Sequence, residues 1–191
     1  MPSNDSVIAD ILTLLFQQLD QRGIEYCVLR AYEGLPEVFH GDVDFLVNAE
    51  DRPKFQSIVM EIAPERGWHL VKHVRKFDMW QFFFYSARSD DQVGRFILQL
   101  DLYYRVSWKG VVLFSSKAIL RERIRYHGFF IPSFHHECAI LLLKDLLSQG
   151  RVFAKHRPKI QALAGQNSEG TQVCLRPLVG KAWRSFSFNE L

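Results

Sequence analysis

Three aspartates carry the most chemistry in this chain: Asp42 and Asp44, two residues apart at the start of an apolar run, and Asp101, set between Leu100 and Leu102 in another. Side chains at i and i+2 of a strand point the same way, about 7 Å apart at the backbone, so Asp42 and Asp44 can reach one divalent cation. Acids that open a strand after a turn also simply face water, and the pair alone leaves both readings open. Asp101 adds a second clue. A carboxylate inside a strongly apolar strand is costly unless it is solvated on a wet sheet face or in a cleft, paired, or bound to metal.

The elements that would position these acids follow from periodicity. Val7, Ile8, Ile11, Leu12, Leu15, Phe16 and Leu19 have helical spacing within Ser6 to Arg22, and Gly23 is the stop. Ile24 to Arg30 reads as a buried strand, Ala31 to Gly41 as a Gly/Pro-bearing loop, and Asp42 to Val47 as the acidic strand. A helix is expected over Ala49 to Arg66. Strands follow over Trp68 to Arg75, Asp78 to Ser86 and Arg95 to Tyr104, the last two joined by a polar turn over Ala87 to Gly94. Trp108-Lys109-Gly110 reads as a turn before a short strand, Val111 to Phe114. Beyond it the sequence predicts a helix over Lys117 to Tyr126, an extended piece over Phe129 to Pro132, an apolar helix over His135 to Gln149, and a basic helix over Arg151 to Leu163 interrupted at Pro158.

Mixed helix-period and strand-period segments predict an α+β fold: a mixed, mostly antiparallel sheet with flanking helices and a helical C-terminal part. We expect an α+β domain over residues 1–132, a helical part packed on it over 133–164, and a loosely ordered tail over 165–191, where Gly, Ser, Asn and Gln accumulate.

With 48% hydrophobic residues in 191, the chain can bury a real core, which excludes a disordered protein. The net charge of +3 is too modest to argue for a nucleic-acid partner. It is unevenly placed: residues 151–191 carry seven Lys or Arg against Glu169 and Glu190, a net +5, which leaves −2 for residues 1–150. Cys27, Cys138 and Cys174 are odd in number and far apart, and read as reduced core thiols. No run approaches the roughly 18 apolar residues of a membrane span, and Met1 to Asp10 lacks a basic region followed by an apolar core. The expected location is cytoplasmic.

Other candidates carry less. His69 and His73 can share a strand face and His135-His136-Glu137 opens a helix, but neither spacing defines a zinc site. Lys144 reads as a lysine snorkelling from an apolar helix, with a phosphate contact as the alternative. Phe82, Phe83, Phe84 and Tyr85 are continuous instead of interleaved with basic residues, which suits sheet core and not an RNA platform.

The order of these pieces carries a resemblance. Leu29-Arg30-Ala31-Tyr32-Glu33-Gly34-Leu35-Pro36, then Gly41-Asp42-Val43-Asp44, then Leu100-Asp101-Leu102 and Trp108-Lys109-Gly110, resembles the small bacterial branch of the nucleotidyltransferase superfamily related to DNA polymerase beta. It covers about residues 7–160. The resemblance implies that Asp42 and Asp44 hold two magnesium ions bridging the phosphates of a nucleoside triphosphate. It implies that Asp101 completes one metal site and acts catalytically, helping an acceptor hydroxyl lose its proton. Paired metals about 3.5–4 Å apart suit an in-line displacement, and hard oxygen ligands suit magnesium.

The chain departs from that pattern after the first strand. The family has Gly-Gly or Gly-Ser there, letting bare backbone and a hydroxyl approach the triphosphate, whereas here Arg30, Ala31 and Tyr32 take the position. Either Arg30 replaces the contact as a bidentate phosphate clamp or the phosphate site is lost. The expected function is transfer of a nucleotidyl group from a nucleoside triphosphate to a hydroxyl acceptor. The alternative is a non-catalytic nucleotide- or partner-binding module with a degenerate phosphate loop.

Overall fold

The computed structural model describes residues 4–39, 41–86 and 96–179. Helix α1 (Asn4–Gln21) buries Val7, Ile8, Ile11, Leu12, Leu15, Phe16 and Leu19 along one stripe. It ends at Gly23, whose φ of +65° is a conformation glycine adopts without a Cβ penalty. Strand β1 (Tyr26–Val28) is shorter than the expected Ile24 to Arg30, because Arg30 and Ala31 already turn away from the sheet. Then come β2 (Asp42–Val47), α2 (Arg52–Glu65) behind a 3-10 turn at Ala49–Asp51, β3 (Trp68–Arg75), β4 (Met79–Ser86) and β5 (Phe96–Tyr103).

These five strands form one sheet in the order β1-β2-β5-β4-β3. β2 and β5 run parallel, and the other three pairings are antiparallel. The fold is therefore α+β with a mixed, mostly antiparallel sheet and flanking helices. Alternation sorts the strands onto two cores. Val43, Phe45 and Val47 join the core under α1 and α2, whereas Leu46 and Cys27 face the opposite way. Asp42 and Asp44 have the parity of Leu46, so they open onto that second face.

Most of the rest of the chain covers the second face, although Phe129 and Ile131 return to the first core beside Phe16. The hairpin β6 (Arg105–Trp108) and β7 (Val111–Ser115) turns through Lys109 and Gly110, both with positive φ, as a two-residue hairpin turn requires. β6 was not expected from the sequence. The predicted helix over Lys117 to Tyr126 stops early: α3 (Ser116–Arg121) gives way to a second hairpin, β8 (Ile124–Tyr126) and β9 (Phe129–Ile131), around His127 and Gly128. α4 (Phe134–Gln149) ends at Gly150 in the left-handed region.

The predicted basic helix also moves. α5 (Arg157–Gln166) begins at Arg157 with Pro158 in its first turn, where proline costs no hydrogen bond, so Pro158 starts the helix instead of interrupting it. The loose tail expected from residue 165 is replaced over Ser168–Val179 by α6, which buries Thr171 and Leu175 against α4 and α5. Residues 180–191, and the expected turn over Ala87 to Gly94, lie outside the described residues. Among the described residues no helix is long and apolar enough to cross a membrane.

Candidate active site

The parallel pairing sets Asp44 directly opposite Asp101, with Asp42 one pleat earlier on the same side. One carboxylate oxygen from each of Asp42, Asp44 and Asp101 lies within 4.8 Å of the other two. Asp44 and Asp101 are 2% and 3% exposed, and Asp42 is half-buried.

Each buried charge has a distinct partner. Arg30 holds Asp44 from both sides of its guanidinium: Nε donates to Oδ2 and Nη2 donates to Oδ1 at 3.1 Å. Burial opposes the Arg30 charge, but hydrogen bonding and attraction from Asp44 outweigh it and raise the pKa above its usual value. Asp101 instead accepts from two neutral amides: Gln81 Nε2 to both oxygens at 3.1 Å, and Gln99 Nε2 to Oδ1 at 2.9 Å. Gln81 and Gln99 reach it because they sit on the same sheet face, on the neighbouring strand and two residues earlier. Asp42 is pushed above the ordinary carboxylate range, by burial first and then by Asp44, with Arg30 opposing.

The loop after β1 is anchored from the opposite helices. A backbone bond from Leu29 N to Asp44 O, 2.8 Å, fixes Arg30 beside its partner. Ala31 then takes φ +53°, a left-handed conformation that costs an L-residue with a Cβ about 1–2 kcal/mol. Tyr32 turns its ring into the core, and its hydroxyl donates to Glu137 Oε2 at 2.5 Å. Lys159 Nζ lies 2.6 Å from Glu137 Oε1, an ion pair rather than an aligned hydrogen bond, and also pairs with Glu33.

A cavity of about 710 Å³ opens between this loop, the β6–β7 hairpin, α4 and α5. Arg30, Ala31 and Asp44 border it; Tyr32 does not, and Asp42 and Asp101 adjoin it through Asp44. Its far wall brings Lys144, His156 and Lys159, and its apolar lining includes Met79, Val106, Trp108, Leu113, Ile140 and Leu141. The volume suits a nucleotide-sized ligand. Lys144, read from the sequence chiefly as a snorkelling lysine, faces the acid pocket. Its pKa is lowered by burial first and then by the Arg30 charge.

Sequence reasoning missed Glu137 on α4, His156 just before α5 and Lys159 on α5, which reach the cavity from far along the chain. His156 Nδ1 lies 2.9 and 2.8 Å from the two oxygens of Asp145, itself 1% exposed and accepting from Phe153 N at 2.9 Å. A signal was present: Asp145 interrupts an apolar helix as Asp101 interrupts an apolar strand. His73 stacks on Phe82 at 4.5 Å and His69 is exposed, so β3 brings no histidine pair to this site.

No protein-family model and no curated protein sequence matches the chain. Among solved structures it is similar to ANT(2″)-Ia in complex with adenylyl-2″-tobramycin, with a TM-score of 0.51 at 12% identity over 86% of this chain and 94% of that one. It is also similar, at a TM-score of 0.49 and 15% identity, to an antigenic nucleotidyltransferase-like protein from Paracoccidioides brasiliensis, over 91% of this chain and 88% of that one. The likeness is one of fold: the chain has a nucleotidyltransferase-like fold.

Proposed function

We propose that this chain is a magnesium-dependent nucleotidyltransferase that moves a nucleotidyl group from a nucleoside triphosphate to a hydroxyl of a small molecule. The observation that carries the reading is the convergence of Asp42, Asp44 and Asp101 beside a nucleotide-sized cavity that also presents Arg30 and Lys144. The neighbour crystallised with an adenylylated small molecule supports the acceptor class.

The donor set fits magnesium: three hard carboxylates with no nitrogen or sulfur among them, one of them destabilised by burial and then by its like-charged neighbours. Asp42, Asp44 and Asp101 would hold the ions. When bound, the metal supplies charge neutralisation for the phosphates and for the attacking and leaving oxygens. The acceptor oxygen forms a bond to the α-phosphorus as the bond to the leaving pyrophosphate breaks, and Asp101 takes part in removing the hydroxyl proton.

Arg30 has a dual task in this scheme. It neutralises Asp44 in the resting protein, so a cation at Asp44 must displace it, and a triphosphate offers the released guanidinium a bidentate partner. Lys144 adds a second positive group on the opposite wall. The apolar lining from Met79, Val106, Trp108 and Ile140 leaves room for an acceptor with apolar surface.

The Arg30–Asp44 pair also favours a second reading. In a non-catalytic nucleotide- or partner-binding module, Arg30 would permanently fill the place of the metal. Thermal shifts with each of the four nucleoside triphosphates, with and without magnesium, together with a pyrophosphate-release assay over a panel of hydroxylated acceptors, test the proposal. Magnesium-dependent stabilisation with pyrophosphate release supports the enzyme. Nucleotide binding indifferent to magnesium, with no release, supports the module.

A further inference from the structure

A second group of ligand-type side chains takes no part in the proposed reaction. His135 and His136 open α4, and Cys174 comes from α6; one ligand atom from each lies within 4.8 Å of the other two. Glu122, the residue that caps the C-terminus of α3, approaches the two histidines. Its Oε2 is 2.8 Å from His135 Nε2 and 4.0 Å from His136 Nδ1. We propose that His135, His136, Cys174 and Glu122 form a structural zinc site that ties α6 to the start of α4 and the end of α3.

The donor set selects the ion. Two imidazoles, a thiolate and a carboxylate are zinc ligands, whereas magnesium and calcium take oxygen. Zinc bonds of about 2.0–2.3 Å arranged as a tetrahedron place neighbouring donors roughly 3.3–3.8 Å apart. The separations of 2.8 and 4.0 Å from Glu122 fall on either side of that value, and the 4.8 Å bound among His135, His136 and Cys174 exceeds it by about 1 Å, so the side chains must draw together to bind an ion.

Ser133 Oγ lies 2.8 Å from His136 Nδ1 and 3.2 Å from His135 Nε2, and Asn167 Nδ2 lies 3.3 Å from His135 Nδ1. Ser133 thus sits on the same two ring nitrogens that face Glu122, and a metal there would displace its hydroxyl. His136 is 4% exposed. On binding, the Cys174 thiol loses its proton to solvent as the sulfur–zinc bond forms.

The site would also reinforce the docking of α6. This helix carries Gly170 and Pro177, which weaken a helix on its own, and it is held to the body through few fully buried side chains. A metal bond from Cys174 to residues of α4 and α3 would add to the packing of Thr171 and Leu175.

The test uses the full chain, stripped with a chelator and titrated with Co2+ and then Zn2+. A thiolate-to-cobalt charge-transfer band and intense four-coordinate d–d bands are expected to saturate at one equivalent. Zinc should abolish them and raise the melting temperature. Cys174→Ser and Cys174→Ala should lose the charge-transfer band, and His135→Gln should weaken metal binding if the cysteine variants fail to fold. Asp44→Asn should retain the band, which keeps this result separate from the fate of the acid site. Absence of any charge-transfer band, or a band that persists in Cys174→Ser and so belongs to Cys27 or Cys138, overturns the proposal.

Discussion

Removing Arg30 separates the resting electrostatics of the acid site from its ligand chemistry. Asp44 is 2% exposed and has Arg30 as its charged partner, so Arg30→Ala leaves a buried carboxylate beside Asp42 and Asp101. Breaking a fully buried ion pair from one side costs about 3–5 kcal/mol. Here the Arg30 side chain is 40% exposed, and solvent screening in the open cavity reduces the cost to about 1–2 kcal/mol. For a chain of this size that lowers the melting temperature by roughly 2–8 °C. The assay is calorimetric melting in chelator and then across a magnesium titration. Magnesium should stabilise Arg30→Ala more than the wild type, because the cation no longer has to displace a guanidinium. Affinity for the magnesium triphosphate should nevertheless fall, since the phosphate clamp is gone. An unchanged melting temperature in chelator, or a smaller response to magnesium than the wild type shows, refutes the reasoning.

The other acids and the loop give further tests. Asp42 titrates above its unfolded value, so the folded state binds the proton more tightly and stability falls as pH rises through the folded pKa. Asp42→Asn should therefore flatten that slope, raise the melting temperature at neutral pH in chelator, lose the gain below about pH 4, and abolish the magnesium response. Ala31→Gly relieves the left-handed strain at φ +53° but adds freedom to the unfolded chain; the net gain should be about 0.5–1 kcal/mol in urea unfolding. Tyr32→Phe removes the hydrogen bond to buried Glu137 and should cost about 1–2 kcal/mol in the same assay.

The acidic strand was legible because its information is local. An apolar run with acids at i and i+2 gives the bounds Asp42–Val47 directly, and Asp101 announces itself by its cost between two leucines. Partnership was not local. Nothing in Arg30-Ala31-Tyr32 says that Arg30 turns to Asp44 while Tyr32 turns to Glu137, since that choice depends on where α4 lies.

The C-terminal third was misread for two physical reasons. Positive φ at His127 and Gly128 makes a hairpin where an apolar, basic run looked helical. Asn167 caps α6, accepting from Gly170 N at 2.8 Å, so a helix starts where Gly, Ser and Asn suggested a linker. Cys174 reached the His135-His136 pair only through that helix, and spacing along the chain carried no trace of it.

The most direct measurement is isothermal titration calorimetry of each nucleoside triphosphate into the wild-type chain, with magnesium and with chelator, and into Asp44→Asn. One triphosphate should bind the wild type only when magnesium is present, adding about 2.7 kcal/mol of stability at 100 times its dissociation constant, and Asp44→Asn should not bind it. Heat of binding for none of the four triphosphates in the presence of magnesium, or binding that survives both chelator and Asp44→Asn, would contradict a nucleotidyltransferase site built on Asp42, Asp44 and Asp101.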